Sequence, residues 1–197
     1  MKVWSVLLLC CCCCLQESTC ADPIDPRAQY VSMIGNDIKA SASGVDVAGV
    51  TFLMNDVILT DGVLFAYSAY FRADTRVRFQ VWRPTSSGSD FKLLAETAVI
   101  PSVVLGREDV YIESKITEMC VRVQGGDRLG VFLEEDPGAI SYTFNAYNPN
   151  ALAHTQDNDT SVNEIGDEVQ FDELTFPYDF SVSAYVDTGM VGLNVSW

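Results

Sequence analysis

Arg76-Val77-Arg78-Phe79-Gln80-Val81 alternates strictly, apolar at Val77, Phe79 and Val81 and polar between them. A strand sends successive side chains to opposite faces, so this stretch places three apolar residues on one buried face. Trp82-Arg83-Pro84 ends the run, and Thr85-Ser86-Ser87-Gly88-Ser89-Asp90 is a turn. Upstream, Val63-Leu64-Phe65-Ala66-Tyr67-Ser68-Ala69-Tyr70-Phe71 is rich in β-formers on both faces. Downstream, Phe91 to Ala95 is a further strand candidate. Val121-Arg122-Val123 and Leu129-Gly130-Val131-Phe132-Leu133 flank Gln124-Gly125-Gly126-Asp127-Arg128, a hairpin signal. Ile140 to Phe144 alternates again, and Phe180 to Val186 sets Phe180, Val182, Ala184 and Val186 against Ser181, Ser183 and Tyr185.

No segment carries a sustained helical period. Short alternating strands between turn residues predict an all-β fold, an antiparallel β-sandwich of jelly-roll type. Its core is expected to bury Val77, Phe79 and Val81 together with Val182 and Ala184. Asn145 to Pro177 reads as one long, polar, acidic loop, and a loop of that length in a compact domain is usually functional or disordered.

The ends of the 197-residue chain read differently. Lys2, the apolar run from Val6 to Leu15 and the small residues Ser18-Thr19-Cys20-Ala21 have the layout of a secretory signal peptide. The apolar run is too short to span a bilayer, so residues 1–21 are expected to be removed and the mature protein to be extracellular. Residues 22–43, with Pro23 and Pro26, form an N-terminal arm in which a short helix between Arg27 and Ala42 is weakly supported. Residues 44–189 are the sandwich domain and 190–197 a tail. Cys10 to Cys14 leave with the leader, and Cys120 then remains as a buried free thiol, with intermolecular pairing as its alternative.

Charge is uneven along the chain. The formal net charge is −15, and twelve acids against no Lys or Arg follow Arg128. Such a field repels nucleic acid and anionic membrane, and draws cations and basic partners. Within it, Asp157-Asn158-Asp159-Thr160-Ser161 and then Glu168 echo the spacing of an oxygen-ligand calcium loop. Val162 stands where such a loop needs glycine, so the expectation is weak calcium binding by several carboxylates, chiefly Asp157, Asp159, Asp167 and Glu168. Asn158 and Asn194 begin N-glycosylation sequons. No other metal site and no cofactor is predicted.

The catalytic inventory is thin. His154, the single histidine, lies in the polar loop without an orienting partner and reads as a surface histidine without a role. No nucleophile elbow, zinc motif or phosphate-binding glycine loop is present. A glycan-active enzyme with spatially paired carboxylates is the one enzymatic alternative. Trp82, Tyr70, Tyr142 and Tyr185 fall opposite the clearest core alternation. An aromatic platform of this kind stacks on sugars, as in a lectin-like module. The apolar area that sheets must bury favours the other reading, a second face covered by a loop.

Asp61-Gly62-Val63-Leu64-Phe65-Ala66-Tyr67, then Val77-Arg78-Phe79-Gln80-Val81-Trp82-Arg83-Pro84, and Gln124-Gly125-Gly126-Asp127-Arg128-Leu129-Gly130-Val131 together resemble a β-sandwich module of secreted invertebrate proteins. Matrix proteins of molluscan shells and coral skeletons are among them. The turn-then-strand at Asp127 is also similar to complement-type globular heads. The resemblance implies a non-enzymatic extracellular matrix component of a mineralised matrix, with matrix proteins, glycans or calcium mineral as partners. It carries over no site residue, and Leu64-Phe65 stands where the pattern has a tryptophan.

Overall fold

In the computed structural model the described residues are 30–41, 48–86, 90–102, 105–112, 121–136, 138–145, 151–155, 164–171 and 175–189. They form fourteen strands: β1 (Val31–Gly35), β2 (Val50–Ile58), β3 (Gly62–Phe71), β4 (Val77–Pro84), β5 (Asp90–Val99), β6 (Gly106–Tyr111) and β7 (Val121–Val123). These are followed by β8 (Arg128–Leu133), β9 (Tyr142–Phe144), β10 (Ala151–Thr155), β11 (Glu168–Gln170), β12 (Thr175–Phe176), β13 (Tyr178–Phe180) and β14 (Val182–Asp187).

Two antiparallel sheets pack face to face. One runs β1-β14-β3-β6, with β7 also on β3, and the other runs β11-β5-β4-β8-β2-β10-β12. A short β13-β9 ladder closes one end. The sandwich-like, all-β arrangement is the one that the alternation predicts.

The core between the sheets is built from that alternation. Val77, Phe79 and Val81 from β4, and Leu129, Val131 and Leu133 from β8, face Val182, Ala184 and Val186 from β14. Tyr67 of β3 stacks on Phe79 of β4 with ring centroids 4.9 Å apart. Near the β13-β9 end, Phe52 of β2 meets Phe176, Tyr178 and Phe180 at 6.0, 5.7 and 5.1 Å.

Four expectations need correction. The turn at Gln124–Arg128 is not a hairpin, because β7 pairs with β3 in one sheet while β8 pairs with β2 and β4 in the other, so the turn carries the chain between the sheets. The arm contributes β1, whose Val31 to Gly35 pair with Asp187 to Ser183, so an extended strand stands where a helix was weakly supported. The Asn145–Pro177 stretch is not one loop, since β10, β11 and β12 lie within it. Its apolar residues Ala151, Ala153, Val169 and Phe171 go inward and its acids Glu164, Asp167 and Glu168 go outward, in pieces too short for a period to show. His154 accordingly belongs to β10, opposite Thr51, and not to a loop.

Candidate functional site

The segment Glu164–Phe171 is a strap that runs along the edge of the seven-stranded sheet, with β11 paired to β5, and brings Val169 and Phe171 onto the sheet's outer face. Val169 and Phe171 bury themselves against Leu53, Trp82, Phe91 and Leu93, a second core separate from the first. Phe171 meets Trp82 edge-on at 5.1 Å and Phe91 at 5.4 Å. Trp82 is fully buried, and its indole covers Gly130, where any Cβ would sit 2.8 Å from the ring. Beside this strap, Trp82 Nε1 donates to Gln80, Gln80 to Glu96, and Arg78 to both Glu96 and Glu134. Burial alone lowers the Arg78 pKa, but its hydrogen bonds to Glu134 and Glu96 carry it above the ordinary arginine value.

The strap begins in a turn that places two of the expected calcium ligands. Asp167 N–H donates to the Glu164 carbonyl at 3.0 Å, and Glu164 N–H donates to Asp167 Oδ2 at 2.8 Å. Gly166, at φ +106°, supplies the positive dihedral. The turn Gln124–Asp127 between the two sheets repeats this design, with Gly126 at φ +103° and a 2.8 Å bond from Gln124 N–H to Asp127 Oδ2. Each turn exchanges two backbone bonds with a leucine, Leu93 or Leu59. Asp127 is buried and held by Arg83 at 2.8 and 2.9 Å, which raises the arginine's pKa through that hydrogen bond. Asp167 stays exposed.

Glu168 is also exposed and lies opposite Lys92 in the β11-β5 ladder. Asp157, Asn158, Asp159, Cys120, Asn194, the leader and the tail lie outside the described residues. Among the described residues no group of three or more His, Cys, Asp or Glu side chains is placed to hold a metal ion. Asp179, from the same acidic third, lines a polar cleft of about 180 Å³ with Asn36, Asp37, Lys39 and Thr143.

The four aromatic candidates divide. Trp82 is under the strap and Tyr142 is buried beside Tyr178, so neither is a platform residue. Tyr70 and Tyr185 lie on the outer face of the five-stranded sheet. There the register aligns Met33 of β1, Tyr185 of β14, Ala66 of β3 and Tyr111 of β6 in one row across four strands. Met33 and Tyr111 are 58% and 61% exposed. Phe65 adds a ring 5.9 Å from Tyr185, because a bulge in β3 opposite Tyr185/Val186 gives that strand one extra residue.

Arg107, two outward rows along β6 and opposite Tyr70, reaches across β3. It donates to Ser68 Oγ at 3.1 Å and to the Tyr185 hydroxyl at 3.0 Å, and lies 3.6 Å from Asp109. Ser68, Ser183 and Ala66 form a floor of small residues beneath these longer side chains. The strands of this face also bring Arg122 and Asp187, so its charges balance, two against two. The sequence reading missed Phe65, Arg107 and Tyr111. Gly106-Arg107-Glu108-Asp109-Val110-Tyr111 has too few apolar residues to signal a strand.

No family model matches the chain, and no curated protein or solved structure matches it. Among the described residues no helix is long and apolar enough to cross a membrane.

Proposed function

We propose that this chain is a secreted, non-enzymatic extracellular matrix protein that binds glycans through the outer face of its five-stranded sheet. One observation carries the reading: in the row Met33, Tyr185, Ala66 and Tyr111, the two end side chains are more than half exposed and Tyr185 is partly exposed, while the outward aromatic side chains of the opposite face are buried. Exposed apolar side chains gathered on one face mark interaction sites in soluble domains. Aromatic faces carry negative charge density and attract the weakly positive C–H groups of a sugar ring. The Arg107 guanidinium and the Tyr185 hydroxyl add polar contacts at the rim. The leader-like residues 1–21 and the resemblance to invertebrate matrix modules support the extracellular setting.

The test is calorimetry of the secreted protein against soluble oligosaccharides, beside Tyr185→Ala and Tyr111→Ala. The reading expects at least about tenfold weaker binding for either variant, a loss of about 1.4 kcal/mol. Failure of every glycan to bind, or equal binding by the variants, overturns it. Release of new reducing ends during the titration points instead to the glycan-active enzyme.

A second reading is weak calcium binding by the acidic third, favoured by the exposure of Asp167 and Glu168 in a stretch with eight acids between Asp157 and Asp179 and no base. Carboxylates without a preformed cage bind calcium at roughly 10⁻⁴ to 10⁻³ M. A variant with Asp157, Asp159, Asp167 and Glu168 changed to amides is expected to lose that heat, and identical titrations refute the reading.

A further inference from the structure

We infer that the free edge of β1 is a docking site for an extended, arginine-bearing segment of a partner protein, which pairs with it as a further antiparallel strand. This surface is the edge of the five-stranded sheet and does not rest on the glycan reading of its face.

The edge is open in a defined register. Thr188 N–H donates to the Tyr30 carbonyl and Asn36 N–H to the Val182 carbonyl, at the two ends of the β1-β14 ladder. Hydrogen-bonded and non-hydrogen-bonded pairs alternate in an antiparallel ladder, so Ser32 and Ile34 bond to β14 as well. The N–H and C=O groups of Val31 and Met33 therefore point away from β14, and among the described residues no strand pairs with β1 on that side.

This edge is also unprotected. Sheet edges are blunted by charge, proline, a bulge or brevity. β6, at the other end of the same sheet, carries Arg107, Glu108 and Asp109, while β11 and β12, which end the seven-stranded sheet, are three and two residues long. β1 has five residues with neither charge nor proline, and it pairs with β14 without a register shift. Such an edge is a template for strand addition.

Charge selects the occupant. Asp187 lies opposite Val31 on β14, its Oδ1 accepts from Gly189 N–H, and it joins no ion pair among the described residues. Exposed Asp37 follows the other end of β1. A residue opposite Val31 on an added strand lies two strands from Asp187. Arg107 already makes a reach of that kind, from edge strand β6 across β3 to the Tyr185 hydroxyl on β14 at 3.0 Å. Side chains on one face recur every second residue, so the fitting segment carries an arginine two residues from an apolar side chain that packs on exposed Met33. A second copy of this chain offers an uncharged β1 and repeats the net charge of −15, whereas a cationic segment is attracted.

The experiment titrates the secreted protein into a labelled nine-residue peptide in which threonine alternates with arginine and valine in turn, and follows fluorescence anisotropy. Saturable binding is expected, at least about tenfold weaker at about 0.5 M salt than at low salt, with new protection of the Val31 and Met33 amides from hydrogen exchange. Met33→Pro removes an N–H that β14 does not use, so the unfolding midpoint is expected to hold while affinity falls at least about tenfold. N-methylation of the peptide's valines, which leaves the protein untouched, is expected to weaken binding as much. Asp187→Asn is expected to lower affinity at least about threefold for the arginine peptide and not for one with glutamine in place of arginine. Undiminished binding of the N-methylated peptide overturns strand addition. Equal binding of a peptide with glutamate in place of arginine overturns the cationic partner. Dimers in sedimentation that Met33→Pro abolishes make a second copy the occupant and overturn the partner assignment. No binding of the arginine peptide overturns the site and leaves the glycan reading standing.

Discussion

Trp82, Leu53, Phe91 and Leu93 on the outer face of the seven-stranded sheet lie out of water under the Glu164–Phe171 strap. On the outer face of the five-stranded sheet, Met33 and Tyr111 remain more than half exposed. Both faces carry large apolar side chains at outward positions of central or edge strands. What separates them is where the chain returns: the turn at Glu164–Asp167 delivers β11 to the edge of β5, and Phe171 then fills the space over Trp82. An aromatic side chain is thus buried on one face and left exposed on the other, according to a segment far away in sequence.

Removing the cover is the most severe way to break this contrast. Phe171→Ala deletes a buried ring between Trp82 and Phe91, and large-to-small core changes of this kind cost about 3–5 kcal/mol. Denaturant unfolding is expected to show the loss, with a red shift of Trp82 emission in the folded state. Unchanged emission and stability would mean that the strap does not cover the indole.

The two matching turns sharpen the comparison. Asp127→Asn strips a buried carboxylate from Arg83 and is expected to cost about 2–3 kcal/mol, below the range for a fully buried pair because Arg83 reaches solvent. Asp167→Asn at the strap keeps an oxygen for the Glu164 N–H and is expected to cost under about 1 kcal/mol. Equal losses in the two variants would show the turns to be energetically alike despite their different burial.

Tyr67, between the sheets, gives a pH-dependent contrast with the outer tyrosines. Burial raises its pKa above the ordinary value of 10.0. The folded chain then holds this proton after the unfolded chain has released it. The contribution is complete below pH 10.0 and declines above it. The expected slope is about 1.4 kcal/mol per pH unit. A Tyr67→Phe variant is expected to flatten that decline, as read from unfolding between neutral and strongly alkaline pH.

The smallest effect is expected on the open face. Tyr111→Ala removes a ring that is mostly in solvent, so stability is expected to change by no more than about 0.5 kcal/mol while glycan binding falls. A loss as large as that of Phe171→Ala would show that this face, too, is structural.

The sandwich was legible because the β4 and β14 alternation is strict, whereas the turn at Gly125-Gly126-Asp127 was legible as a turn but not as a crossing between sheets, since local pattern does not say which strands pair. β1, β6 and β11 were not. They are edge strands that are short or, in β6 and β11, polar at half or more of their positions, and their pairing partners lie far away in sequence. The candidate site was half legible. Tyr70 and Tyr185 followed from alternation, whereas Phe65 depends on a bulge and Tyr111 on the register of β6.

The residues by themselves determine the all-β class, the inner faces, the leader-like start and the acidic last third, because these depend on composition and on a period of two. Only the tertiary structure decides which aromatic side chains are left in water. Tyr185 and Trp82 are both outward-facing members of alternating strands, and local pattern treats them alike. The difference between them is made by β11 and Phe171, and a covering segment that arrives from about ninety residues away leaves no mark on the strand it covers.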